Sequence, residues 1–334
     1  MPQRVGAVER AARRGNYHRA AVDDRLRAHL ELAELSDEEF VRRAYRFVLR
    51  RDPEVEALER TVPRATLLRE LVASEEFARL AAIDEAIAAA GEGRFLEAPS
   101  GTDERLIEIP WALARVRPGD RVLDVGTANA EPAYVAALLG HEAAEIAGVD
   151  LAEADVPGIP AVVADVRDMP FEDGAFDLVL CVSTLEHVGR DNRVYGGGAE
   201  ADPRGIPAAL EELRRVLAGQ GRLVVTVPCG EPEDHGWFVQ LEPDAWNEEF
   251  VAAGFRVLEE EIYALGPEGW RAEPEFEPAG VRYRAAASAV LCATLAPVSG
   301  ARRVARRARG AVARRGGGGT APPTAPPPPG RAAG

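Results

Sequence analysis

The residues equipped for chemistry sit at the ends of short apolar runs. Asp124 lies within Arg121-Val-Leu-Asp-Val-Gly-Thr-Ala-Asn-Ala130. There Val122, Leu123 and Val125 read as a buried strand that breaks at Gly126 into small residues, Thr127 and Ala128 among them, before a helical pattern over 133–139. Gly126, Ala128 and Ala130 carry little or no side chain, so a ligand can approach the backbone N–H groups of that turn. Asp150 closes a second run, Ile146-Ala-Gly-Val149, and is followed by Leu151. An acid at that place can accept both hydrogen bonds of a ribose diol. Asp165 and Val166 end a third run. A fourth, Phe176-Asp-Leu-Val-Leu-Cys-Val182, carries Cys181 near its end and leads into Ser183-Thr-Leu-Glu-His-Val188, which sets Glu186 beside His187. His187 and a later residue, His235 beside Asp234, are the two candidate general bases, because neutral imidazole can take a proton near neutral pH.

These residues need a frame that gathers them. Apolar runs alternating with helical patterns and joined by short connections demand right-handed crossovers and a parallel sheet. Ligands of such sheets bind outside the carboxyl ends of the strands, and every residue named on the first four runs falls at such an end. A fifth run, Gly219–Pro228, follows the helical Leu213–Leu217, and the pattern closes with a helix over 243–253 and strands over 255–263 and 286–296. Two polar, glycine-bearing inserts, 189–198 and 229–240, lie at the same edge and are assigned to acceptor recognition, with His235, Trp237 and Gln240 as their costliest residues to expose.

In this order the five motifs resemble the class I S-adenosylmethionine-dependent methyltransferases over roughly residues 103–296. The resemblance implies an α/β fold with a doubly wound, seven-stranded, mostly parallel sheet, and S-adenosylmethionine as cofactor. It implies that Asp124, Gly126, Thr127 and Ala128 hold the methionine part, Asp150 and Leu151 the ribose, and Asp165 and Val166 the adenine, with Cys181 among the cofactor-binding residues and Glu186 in the segment bordering the reacting centre. One departure stands out: Ala128 and Ala130 occupy places where the family usually has glycine. Alanine reaches positive φ only at a cost of about 1 kcal/mol.

Upstream, Ser36-Asp-Glu-Glu39 has the form of a capping box, and Phe40, Ala44, Phe47 and Val48 follow at helical spacing. Further helices are expected from about Pro63 and from Ser74. Glu39–Pro53 with Leu71–Phe77 resembles the small phycobilisome-linker-like helical modules that accompany bacterial glycosyltransferases and methyltransferases. That resemblance implies a protein partner for this part and a glycan setting for the chain. The expected divisions are a flexible arm at 1–33, a small all-α domain at 34–88, a linker at 89–102, the cofactor-binding domain at 103–298, and a basic, then Gly/Pro-rich, disordered tail at 299–334. In the helix expected over 103–116, Pro110 implies a kink or restart, and core packing is the favoured role for Trp111.

The formal charge of −15 argues against nucleic acid as the main partner, since phosphate binding needs a basic face. All 40 basic residues are arginine, which reads as biased composition rather than function. The three cysteines stand singly within or beside apolar runs, with neither metal-ligand spacing nor a disulfide framework, which suits a reducing cytoplasm. No apolar run approaches the length of a membrane span, although the arginine-rich 301–315 could contact an anionic membrane surface. Nothing in the spacing of Asp191, Asp234 and His235 requires a metal. The expected activity is therefore methylation of a hydroxyl on a sugar, glycan or other small molecule in glycan or secondary-metabolite biosynthesis. The alternatives are a nicotinamide-dependent reductase, whose glycine fingerprint Glu131-Pro132 fits poorly, and a non-catalytic scaffold on the same fold.

Overall fold

A computed structural model of the chain describes residues 35–298 apart from 61, 93–96, 100, 144, 154–155, 196–197, 199–200 and 285. The arm at 1–33 and the tail at 299–334 lie outside the described residues.

Four helices lead: α1 Asp37–Val48, α2 Val55–Leu58, α3 Arg64–Val72 and α4 Glu75–Gly91. Ser36 and Ser74 cap α1 and α4, each hydroxyl accepting from the N–H three residues on, at 3.2 and 3.1 Å. Only half of the expected capping box forms, because the Glu39 carboxylate pairs with Arg43 one turn later. The buried stripe of α1 is Phe40, Val41, Ala44, Tyr45 and Val48. That stripe leaves Phe47 at its margin and exposed, against the expectation.

Next come α5 Arg105–Leu113, β1 Arg121–Val125, α6 Pro132–Leu139, β2 Glu145–Asp150, β3 Ala161–Val163 and β4 Phe176–Val182. They are followed by α7 Gly205–Val216, β5 Leu217–Pro228, a small antiparallel ribbon of β6 Glu233–Asp234 with β7 Val239–Gln240, α8 Pro243–Ala252, β8 Phe255–Gly266, β9 Gly269–Ala272 and β10 Ala289–Pro297. Helix α5 runs unbroken through Pro110. Trp111 is buried in it, its indole N–H donating to Glu261 at 2.7 Å under the Arg115 guanidinium, so it packs and does not line a pocket.

Among the described residues the main sheet has eight strands in the order β3-β2-β1-β4-β5-β10-β8-β9. The first five are parallel to one another, and β10, β8 and β9 add three antiparallel pairings. The fold is the expected doubly wound α/β sheet of the class I methyltransferase type, with one strand more than the seven expected. The extra strand is β9: β8 turns back through Gly266–Gly269, and Gly-Trp-Arg-Ala is too short and too mixed to announce a strand. At Gly269 φ is +115°, and a Cβ there would fall 2.0 Å from the Ala98 carbonyl. That close approach lets Trp270 exchange backbone hydrogen bonds with Ala98 at 2.7 and 3.2 Å, fastening the segment before α5 to the sheet's last strand.

The period of two sorts the strands between two apolar layers. Val122, Leu178, Leu180, Val224, Val290 and Cys292 face the layer that also holds α1 to α6. Leu123, Val125, Val179, Cys181, Leu223, Val225 and Leu291 face α7 and α8. The N-terminal helices thus share one continuous core with one face of the sheet. Among the described residues no helix is long and apolar enough to cross a membrane. Leu178 is fully buried on β4. Leu178→Ala should lower unfolding free energy by about 2–5 kcal/mol, measured by chemical denaturation.

Candidate cofactor and acceptor site

The carboxyl ends of β1, β2, β3 and β4 meet at a cavity of about 270 Å³. Its first wall is the turn after β1. Gly126 is left-handed at φ 90° and passes so close to Thr184 that a Cβ would lie 2.5 Å from the Thr184 hydroxyl. A single 3₁₀ turn, Thr127–Asn129, follows, and Ala130 has φ −66°. The left-handed non-glycine residues described are Arg50 and Ser183, so neither Ala128 nor Ala130 bears the strain that the missing glycines suggested. The strain falls instead at Ser183, where β4 ends. Its φ of 43° is held by hydrogen bonds from its N–H to Thr226 and from its hydroxyl to Glu108.

The second wall is Asp150. Its Oδ2 accepts from the Ala128 N–H at 2.9 Å and its Oδ1 from the Ala152 N–H at 3.0 Å. Each oxygen keeps a further lone pair, and the carboxylate borders the cavity, flanked by Leu151. Asp165, Val166 and Ala164 continue the wall beyond β3. Burial would raise the Asp165 carboxyl, but hydrogen bonds from the Arg167 side chain and backbone outweigh it and hold it below the usual carboxylate range.

Asp124 lies beneath these groups. Its Oδ1 accepts from the Tyr134 hydroxyl at 2.5 Å, and its Oδ2 is buried without a partner. Burial pushes this carboxyl up to about 6, against the hydrogen bond from Tyr134 that opposes the rise. An unmet acceptor at the base of a cavity is a place for a ligand donor.

The end of the cavity away from Asp150 is formed by Arg105, His187, Arg190, Asn192 and Tyr195. The His187 Nδ1 sits 2.8 Å from the Trp237 carbonyl, so Nδ1 carries the proton and Nε2 is left as the acceptor. Burial lowers this imidazole to about 4, which keeps it neutral at physiological pH. Its ring stacks on Trp237 at 5.3 Å and meets Tyr195 edge-on at 5.1 Å.

The structure therefore places Asp124, Gly126, Asp150, Leu151, Asp165, Val166 and His187 around one cavity. Thr127 and Ala128 stand behind its wall, Thr127 bonded to the Asp124 carbonyl and Ala128 to Asp150. Three expected site residues lie elsewhere. Cys181 points into the layer under α7, where burial raises its thiol. Glu186 is buried behind His187. His235 stacks on Phe238 at 4.5 Å within the ribbon, and the Asp234 expected to orient it pairs with Arg190 instead. Nor is Gln240 a recognition residue: it is fully buried, its amide donating to the carbonyls of Glu231 and Val281. Sequence reasoning passed over Tyr134 and Arg105, and reached Tyr195 only as part of the 189–198 insert. Tyr134 carries a signal in its place one turn into the helix after the glycine turn, whereas Arg105 depends on tertiary packing. Among the described residues no group of three or more His, Cys, Asp or Glu side chains is arranged to hold a metal ion.

Residues 123–225 match the family model of the methyltransferase domain. An uncharacterized protein of Methanocaldococcus jannaschii is 36% identical over 66 residues, covering 20% of this chain and 22% of that one. The 27-O-demethylrifamycin SV methyltransferase of Amycolatopsis mediterranei is 29% identical over 170 residues, covering 42% of this chain and 61% of that one. The chain thus spans less than two thirds of the length of these curated relatives. Among solved structures, the 1,6-didemethyltoxoflavin-N1-methyltransferase of Burkholderia thailandensis, crystallised with S-adenosylhomocysteine, superposes with a TM-score of 0.42 at 17% identity, covering 68% of this chain and 91% of that one.

The residues lining the cavity fit S-adenosylmethionine, the cofactor expected from the sequence. Asp150 offers two oriented acceptors for a diol, Leu151 and Val166 an apolar border for a flat base, and the orphaned Asp124 Oδ2 an acceptor for a hydrogen-bond donor. Asp150→Ala should weaken S-adenosylhomocysteine binding by about 1.5–3 kcal/mol, roughly ten- to a hundredfold, measured by calorimetry with the melting temperature as a check on folding.

Proposed function

We propose that the protein transfers the methyl group of S-adenosylmethionine to a hydroxyl of a small molecule, with sugars and glycans as the first acceptors to test. The observation that carries this reading is a single cavity lined by both the oriented Asp150 carboxylate and His187, whose Nε2 makes no hydrogen bond and lies 3.8 Å from a Glu186 oxygen. Bound there, the cofactor supplies an electrophilic methyl on a leaving group that departs neutral, so positioning contributes much of the rate. What the protein adds is a place for the acceptor and an outlet for its proton.

His187 is the group proposed to take that proton. Its Nδ1–H is committed to the Trp237 carbonyl, which fixes the tautomer and aims Nε2 away from the ribbon. The inserts after β4 and β5, expected to recognise the acceptor, supply Tyr195 and Trp237 as half-exposed rings against His187. Flat rings of this kind suit the C–H face of a sugar or another ring. The name of the rifamycin relative supports a hydroxyl on a secondary metabolite. The helical modules that α1 to α4 resemble support a glycan, and a protein partner for those helices.

A nicotinamide dinucleotide is disfavoured by Glu131. It stands at the start of α6 on the cavity wall, where a pyrophosphate would otherwise find a helix N-terminus and would here meet a carboxylate.

Calorimetry with S-adenosylhomocysteine, followed by a methyl-transfer screen over hydroxylated sugars, glycans and polyketides, tests the proposal. Saturable cofactor binding with transfer to at least one hydroxyl is expected. Binding of NADH in place of S-adenosylhomocysteine would overturn it. On an acceptor so identified, His187→Gln should lower kcat by about 10²–10⁴-fold and leave S-adenosylhomocysteine affinity within a few-fold. Because the imidazole protonates only near pH 4, its contribution to the rate should persist on acidification until below about pH 5, read from the pH profile of kcat.

A further inference from the structure

The start of α5 and the turn after β4 bring three carboxyl groups around one guanidinium. Glu108 is fully buried, and its oxygens are met by Arg105 at 3.0 Å and by the Ser183 hydroxyl at 2.7 and 2.9 Å. Glu104, one turn earlier, and Glu186, from the turn after β4, share the field of the same Arg105. Each keeps one carboxyl oxygen, Oε2, that is sealed from solvent and has no hydrogen-bond partner. Glu186 as a whole is only 3% exposed. Arg105 and His187, which stand among these acids, both line the cavity, so the cluster adjoins the end away from Asp150.

One guanidinium cannot balance three carboxylates. Burial first, and then the charge of Glu108, pushes Glu104 up to about 7. Burial pushes Glu186 well above the usual range, with Glu108 and Glu104 adding to it. The groups facing the cluster from other elements bring no compensating charge. Tyr195 and Tyr283 are raised by burial, His187 is held neutral, Cys292 on β10 is a raised thiol, and Glu131 at the start of α6 is engaged by Arg79. At neutral pH the cluster therefore stores protons that water-exposed carboxylates would have lost.

We propose that this cluster receives the positive charge of a sulfonium or ammonium group carried by a ligand in the adjoining cavity, and that a proton leaves the cluster as the charge arrives. The inference rests on the reading of the cavity as the S-adenosylmethionine site. Its sign follows from linkage: a cation lowers the carboxyl pKa, bound ligand holds fewer protons than free protein, and affinity rises with pH. A charge-sensitive site of this kind separates cofactor from product. S-adenosylmethionine carries sulfonium and ammonium, S-adenosylhomocysteine only the ammonium, and 5′-methylthioadenosine neither.

The test is calorimetric titration of the intact protein with each of these three compounds, in two buffers of different ionisation enthalpy, between about pH 6 and about pH 8. Proton release is expected to be greatest for S-adenosylmethionine and absent for 5′-methylthioadenosine, with the affinity ratio of these two rising several-fold over that range. Equal release by S-adenosylmethionine and S-adenosylhomocysteine, above 5′-methylthioadenosine, assigns the charge to the ammonium. Glu104→Gln, at a partly exposed position where folding is readily checked by melting temperature, should remove most of the pH dependence near neutrality while binding persists. Glu186→Gln should act in the same direction. Saturable binding of all three compounds with equal proton counts overturns the inference alone. Failure of all three to bind overturns the cofactor reading and the inference with it.

Discussion

The hydrogen bond from the Ala128 N–H to the Asp150 carboxylate ties the turn after β1 to the tip of β2, and most of the site's geometry follows from it. The bond needs Ala128 in a right-handed 3₁₀ turn, which needs Gly126 to reverse the chain at positive φ, and Thr184, standing where a side chain at 126 would go, reserves that position for glycine. On the other side, Gly148 leaves room in β2 for the buried Thr127, whose hydroxyl would lie 2.6 Å from any Cβ there. A carboxylate that caps a neighbouring loop is already desolvated on that side and oriented before any ligand arrives. Less ordering entropy is then left to be lost on binding.

The cavity's two ends differ in kind. At the Asp150 end the strand-tip acids are matched, Asp150 by two N–H groups and Asp165 by Arg167, while Asp124 beneath them keeps one oxygen unmet. At the His187 end, acids outnumber their cation and proton occupancy makes up the difference. A polar, well-satisfied end suits recognition of fixed hydroxyls. An under-compensated end, walled by rings and sealed by burial, amplifies any charge that enters it, because the surrounding medium screens poorly.

The strand tips were legible from sequence because period-two burial and glycine turns are local signals. Asp124, Asp150 and Asp165 each end or lie within an apolar run, and the chain cannot place such residues anywhere but at one sheet edge. The motif glycines misled in one respect: alanine at 128 and 130 looked like damage, yet a 3₁₀ turn needs no left-handed residue there. What stayed hidden depended on distant segments meeting. His235 looked like the better base because Asp234 follows β5 beside it, but the register of the ribbon turns Asp234 to Arg190 and lays His235 on Phe238. Glu104 and Arg105 carry no local signal of a site, since they meet Glu186 only where α5 packs against the turn after β4. The eighth strand escaped because Gly-Trp-Arg-Ala is too short and too mixed to show a period of two; backbone pairing with β8 and with Ala98 holds it.

That pairing has a mechanical consequence. Ala98 is clasped by Trp270 through both backbone groups, and the Trp270 indole N–H reaches on to the Thr102 carbonyl. The chain between α4 and α5 is thereby stitched at two points to the outermost strand, across the sheet from where β1 begins. Rather than swinging on a loose tether, the leading helices are moored to the same plank that carries the strand tips, and a pull on one is felt by the other.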